Sequence, residues 1–205
     1  ININFFDQLL LNNNFNIFFT VFCFMVLMNG SNFLDGLNIL VSGYYLAVSI
    51  IIYFLVVNLN LVQNSNLLML LSMTLFIFII FNSLGYCSLG DGGSYMLGFI
   101  FGNLLINLSN NNFSISPYFI TLLLWYPAFE NLFSLLRRKF IYKNKLSSPD
   151  NMHLHQLIYL LIKNKKIVPL KFSNSFSGII ILIYNILIFL VASEFYYHTK
   201  ILVLL

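Results

Sequence analysis

Charge is what this sequence has least of. Only 8% of its 205 residues are Asp, Glu, Lys or Arg, against 60% hydrophobic residues and a mean hydropathy of +0.88. Soluble domains carry roughly 25% charge, and a chain of this length with so few charged groups cannot cover a core in water. A soluble enzyme, a disordered tail and a coiled coil are excluded. Cysteine is scarce too: Cys23 and Cys87 lie in apolar or glycine-rich surroundings. They offer no disulfide framework or metal-knuckle spacing and read as small packing residues. Regular apolar/polar alternation is missing, which excludes a transmembrane barrel.

In place of charge there are apolar runs near the roughly 20 residues that span about 30 Å of hydrocarbon. They cover Phe15 to Met28, Ile39 to Val57, Leu67 to Phe81, Tyr95 to Leu108, Tyr118 to Leu136 (with Pro127 inside) and Phe176 to Ala192. In lipid each backbone N–H and C=O must be satisfied within its own helix. The expectation is therefore an all-α, polytopic membrane helical bundle with about six transmembrane helices, forming a single domain over 1–205. The chain opens on Ile1 without a signal-peptide pattern, and Lys200 to Leu205 resembles the start of another span. A fragment truncated at both ends is expected. Runs of Asn such as Asn110-Asn111-Asn112 read as compositional bias.

The cations orient the bundle. Nine of the ten Lys and Arg lie between Arg137 and Lys171, and the positive-inside rule assigns that segment to the cytoplasm. Counting spans places about 29–38, 84–94 and 137–173 on that one face. Lys139, Lys143, Lys145, Lys163, Lys165 and Lys166 read as topology charges touching anionic lipid heads. The formal charge of +4 therefore implies a membrane partner and no nucleic acid.

Only six acids are present, which makes their positions informative. Asp7 and Glu194 lie at a chain end and the outer face. Asn32, Asp35 and Asn38 are spaced three apart, so on a helical turn they project to one side; a polar helix cap is the plain alternative. Asp91, in Leu89-Gly90-Asp91-Gly92-Gly93-Ser94, precedes a helix whose free N–H groups suit an anion. A carboxylate there suits Mg²⁺, which takes one or two protein carboxylates plus water and phosphate oxygens. An ordinary glycine turn would look the same. His153 and His155, in Ser148-Pro149-Asp150-Asn151-Met152-His153-Leu154-His155-Gln156, lack further ligands for zinc and read as phosphate-site or solvated histidines. Glu130 shares a helical face with Arg137 and Arg138, so a structural Glu–Arg pair is expected. Arg137 facing a substrate phosphate is the sharper alternative.

Taken in order, Asn32-Phe33-Leu34-Asp35-Gly36-Leu37-Asn38, then Leu89 to Phe99, then Pro127-Ala128-Phe129-Glu130 with Arg137-Arg138, then His153-Leu154-His155-Gln156 resemble the polyprenyl-phosphate sugar-1-phosphate transferases of glycosyltransferase family 4. These include the phospho-N-acetylmuramoyl-pentapeptide transferases and the UDP-N-acetylglucosamine–undecaprenyl-phosphate transferases. The resemblance implies transfer of a sugar-1-phosphate, of N-acetylhexosamine type, from a UDP-sugar to a membrane polyprenyl phosphate with release of UMP. It implies a Mg²⁺ cofactor (Mn²⁺ as a substitute) on Asp91, with Asp35 and Asp91 catalytic. Asn32, Asn38, Arg137, His153 and His155 would bind substrate.

The resemblance further implies a multi-pass protein of the bacterial inner (plasma) membrane, with its active face cytoplasmic and a homodimer allowed. It places the reaction in envelope polysaccharide or peptidoglycan precursor synthesis. Asn38 stands where the family often has a second Asp, Gln156 where it has a third His, and Glu130 where Asp is common. The family's adjacent Asp pair is not in the chain; truncation accounts for that, and the fragment alone is expected to be inactive. The readings that compete are a polytopic transporter, which would carry its ionisable residues at mid-bilayer, and a structural membrane subunit without catalysis.

Overall fold

The computed structural model describes residues 8–61, 65–141 and 152–205. Among these residues there is no strand, and the helices run α1 (Asn13–Leu34), α2 (Leu40–Asn58), α3 (Ser65–Ser83), α4 (Gly90–Asn111), α5 (Pro117–Leu123), α6 (Trp125–Leu136), a π-turn (Arg137–Ile141), α7 (Leu154–Asn164), α8 (Leu170–Glu194) and α9 (Thr199–Leu204). Four of them, α1, α2, α3 and α8, are long and apolar enough to cross a membrane, and α5 with the helix that follows it makes a fifth if the bent pair is one span. About six spans are expected; the fourth of them is a helix, α4, but not one of the helices apolar enough to count as a span. Its 22 residues are long enough, but Gly, Asn and Ser dilute it below the other four.

The helix expected over 118–136 is broken, with its two halves meeting at 70°. The break falls at Leu124, just before Pro127. Proline has no N–H to offer and its ring clashes with the carbonyl four residues earlier, here that of Leu123. That carbonyl accepts instead from the Tyr44 hydroxyl of α2 at 2.8 Å. A backbone acceptor that would be costly in hydrocarbon is thus satisfied by a side chain from another helix.

The core lies along α2, whose Leu40, Val41, Tyr44, Tyr45, Val48, Ile52 and Val56 are buried between α3 on one side and α8 on the other. α1 is the second organiser: it packs on α4 and on α6, and little of it is buried except at its C-terminal end (Val26, Leu27, Gly30, Ser31, Leu34). Two glycines permit these approaches. A Cβ on Gly30 would overlap the Pro127 carbonyl of α6, and one on Gly98 would stand 2.9 Å from the Ser31 hydroxyl and 3.1 Å from the Met28 Cα. The Asn131 amide adds a hydrogen bond to the Val26 carbonyl at 2.9 Å. These three contacts fix the end of α1 at which Asn32 and Asp35 emerge.

Candidate active site

The end of α1 meets the start of α4 through a polar contact. Asn32 donates from Nδ2 to the Tyr95 hydroxyl and accepts at Oδ1 from the Ser94 hydroxyl, both at 3.1 Å. These partners lie 63 and 62 residues apart in sequence. Asp35 caps α1 with its N–H on the Asn32 carbonyl, and its carboxylate takes a hydrogen bond from the Gly90 N–H. Asp91 follows at once, exposed, in the first turn of α4. Partial burial pushes the Asp35 carboxyl above its usual range; the Gly90 N–H opposes that and the charge of Asp91 adds to it. The two carboxylates are therefore near enough for their charges to repel, an arrangement a divalent cation would relieve. Among the described residues no group of three or more His, Cys, Asp or Glu comes together that could hold a metal. The oxygen pair fits Mg²⁺ only with waters or substrate oxygens completing its shell.

The histidine segment closes the same end of the bundle. Phe33 packs its ring 5.0 Å from that of His153, and His153 stacks on His155 at 5.4 Å. A Cβ on Gly36 would lie 3.3 Å from the His155 Nε2, so both imidazoles stand against the loop carrying Asp35. Three groups hold the segment there. Glu130, buried on α6, accepts from Leu154 N–H at Oε1 (3.2 Å) and meets His153 Nδ1 with Oε2 (3.0 Å). Gln156 takes the His153 N–H at 3.3 Å, capping α7. Arg137, also buried, donates from Nη1 to the Met152 carbonyl at 2.6 Å.

His155 is the outlier in this cluster. It is fully buried, and neither ring nitrogen has a hydrogen-bond partner. Burial lowers its pKa to about 4; Glu130 pulls the other way and His153 adds to the lowering. The ring is therefore neutral at physiological pH, with one donor and one acceptor unsatisfied. Leaving such groups unpaired costs about 1–3 kcal/mol, which a polar ligand would recover.

Asn32, Asp35, Asp91, His153 and His155 are thus gathered around 32–36, as the shared face implied. Asn38 is turned elsewhere. Its N–H goes to Asn174 Oδ1 at 2.6 Å and its side-chain amide to the Ser175 hydroxyl at 3.4 Å, tying the loop to α8. Arg137 holds the backbone beside His153. Glu130, expected to pair with the arginines, has both oxygens engaged by the histidine segment. Ser94, Tyr95, Phe33 and Asn174 are members that residue-by-residue reading passed over. For Asn174 the signal was the polar run Ser173-Asn174-Ser175 just ahead of an apolar span. Asp7, Lys143, Lys145, Asp150 and Asn151 lie outside the described residues.

A family profile described as glycosyl transferase family 4 matches residues 1–109, just over half of the chain. The chain belongs to that family. Neither a curated protein nor a solved structure matches it. The family match covers Asn32, Asp35, Asn38 and Asp91. Glu130, Arg137 and the histidines lie beyond it and reach the 32–36 segment through tertiary contacts alone.

The Glu130 contact has a measurable consequence. Replacing Glu130 by Gln keeps the acceptor for Leu154 N–H and removes the charge opposite His153, a hydrogen bond to a charged group worth roughly 1.5–3 kcal/mol. The expected outcome is a thermal midpoint lowered by several degrees in detergent. Glu130→Ala should fall further, because it also orphans the Leu154 N–H. Equal midpoints for both variants and the parent would show that the carboxylate does not hold the segment.

Proposed function

We propose that this membrane transferase moves a sugar-1-phosphate, of N-acetylhexosamine type, from a UDP-sugar to a polyprenyl phosphate in the synthesis of cell-envelope polysaccharide or peptidoglycan precursors. The observation that carries the reading is the convergence of an acid pair, Asp35 and Asp91, with a buried neutral imidazole at one end of an apolar bundle. A transporter would want its ionisable groups at mid-bilayer, and here they collect where α1 and α2 leave the hydrocarbon.

In the proposed reaction a phosphate oxygen of the lipid attacks the β-phosphorus of the UDP-sugar. The bond from that phosphorus to the oxygen bridging to the α-phosphate breaks, and UMP leaves with that oxygen. Asp35 and Asp91 would hold Mg²⁺, which offsets the charge as two anions approach. Asn32, fixed by Ser94 and Tyr95, sets the distance between the two acid-bearing segments. His155, with its free donor and acceptor, takes polar groups of the nucleotide sugar, and His153, kept in place by Glu130, supports the diphosphate. Asn38 and Arg137 act by positioning the loops. The site faces the cytoplasm of a bacterial plasma membrane in this reading, where UDP-sugars are present.

The lipid tail has a place to lie. α1, α4 and the broken helix enclose an apolar groove of about 320 Å³, lined among others by Cys23, Leu27, Ile106, Ile120, Trp125 and Ala128. Filling it with Ala128→Trp is expected to raise the KM for polyprenyl phosphate several-fold and leave the KM for UDP-sugar unchanged. A shift in both would argue for a general distortion of the bundle.

The direct test of the function is UMP release from a panel of UDP-N-acetylhexosamines by membranes carrying the full-length transferase. Release that needs both polyprenyl phosphate and Mg²⁺ is the expected result. Absence of release together with absence of nucleotide-sugar binding would overturn the reading.

A further inference from the structure

α7 is apolar on two opposite sides. His155 and Ile162 are buried against the bundle, where α7 packs on α8, while Leu154, Leu157, Leu160 and Leu161 are exposed. At 3.6 residues per turn Leu157 and Leu160 fall on the far side from His155 and Ile162, with Leu154 and Leu161 on one flank of that side and Asn164 at its end. A helix end at a water boundary would show polar residues there. The exposed apolar surface continues past the helix with Ile167, Leu170 and Phe172, which are 52%, 67% and 50% accessible.

Cations frame this surface. Lys163, Lys165, Lys166 and Lys171 are all exposed. Lys163 and Lys171 lie over the rings of Tyr159 and Phe172, each at 5.8 Å. Among the described residues none of the four has a carboxylate partner; the ion pair found is that of Glu130 and His153. The level is also set: α1 ends at Leu34, α2 begins at Leu40, and Gly36 between them lies against His155 in the first turn of α7. The helix therefore leaves the bundle at the height where the spans exit the hydrocarbon.

We propose that α7 and the turn to Phe172 form a docking surface for the anionic lipid leaflet on the site's side of the membrane, with the leucines among the acyl chains and the four lysines on the headgroups. An apolar stripe bounded by unpaired lysines is complementary to that surface chemistry, since aliphatic side chains enter the acyl boundary and ammonium groups meet lipid phosphates. The same helix carries His155 and is capped at His153, so the leaflet holds the histidine segment from outside as Glu130 holds it from within. The proposal does not depend on the reaction.

The test uses the whole chain with Cys23→Ser and Cys87→Ser and a single Leu157→Cys labelled with an environment-sensitive fluorophore. It is reconstituted in vesicles of phosphatidylcholine alone or mixed with phosphatidylglycerol. Expected are blue-shifted emission, quenching by doxyl-labelled lipid and protection from aqueous iodide, all stronger when phosphatidylglycerol is present. Replacing the four lysines by Gln should abolish the phosphatidylglycerol increment, and Leu160→Ser with Leu161→Ser should lower lipid quenching in both vesicles. These positions are exposed, so folding is not at stake. Iodide quenching equal to that of free label would overturn the proposal. Iodide protection without lipid quenching, the mark of a protein partner or second copy, would overturn it too. So would a phosphatidylglycerol increment that survives the four Lys→Gln changes.

Discussion

In the full-length protein, Asp91→Asn is expected to lower Mg²⁺-dependent transfer by about 10³-fold or more, the scale of losing several kcal/mol of charge stabilisation in the transition state. The side chain is exposed at the first turn of α4, so its loss should leave membrane insertion and the elution profile in detergent unchanged. UMP release measured across a Mg²⁺ series is the check, and normal turnover would remove Asp91 from the metal site. Asp35→Asn should be as inactive and yet more heat-stable at neutral pH. A carboxyl whose folded pKa is raised costs stability once it ionises. Asn would lose that cost, and the repulsion from Asp91 with it, while still accepting from the Gly90 N–H. An inactive variant with a higher thermal midpoint would be the signature of a site held in an unfavourable state for the sake of a cation.

The second large effect is structural. Gly30→Val is expected to abolish recovery of folded, monodisperse protein, because even a Cβ at that position overlaps the Pro127 carbonyl and a backbone group has no rotamer to move. Overpacking that side chains can absorb costs about 1–3 kcal/mol. Here α1 and α6 must separate, and the Asn131 bond to Val26 goes with them. Gly92→Ala is the control, since its Cβ would meet nothing within 4 Å and alanine favours helix over glycine by about 1 kcal/mol. Fluorescence-detected size exclusion of the two variants against the parent decides the matter. A monodisperse peak from Gly30→Val would mean that the crossing is looser than its geometry.

Both predictions concern residues legible in the sequence to different degrees. Asp91 stood out because acids are rare in an apolar chain and glycines surround this one. Gly30 gave no such sign: it looked like part of a polar helix exit, and only the crossing of α1 with α6 reveals that its missing side chain is required. Pro127 was visible inside an expected span. The break it causes could be foreseen as a kink, but not the Tyr44 hydroxyl that takes up the Leu123 carbonyl, because that donor lies on another helix.

The site divides in the same way. Membership of the helical membrane class, four or five of the six expected spans and the convergence of three polar segments followed from composition and from counting spans out from the cations, since hydrocarbon forces every helix end to one surface or the other. Which polar group meets which did not. Glu130 was seven residues from Arg137 on its own helix, yet its oxygens serve His153 and Leu154. Asn38 shared a spacing with Asn32 and Asp35, yet its bonds go to Asn174 and Ser175. Helical periodicity governs neighbours three or four residues apart; it carries no information on partners from separate helices. Those are chosen by the depth and angle at which α1, α4, α6 and α8 cross, which small contacts such as Gly30 on Pro127 decide in three dimensions.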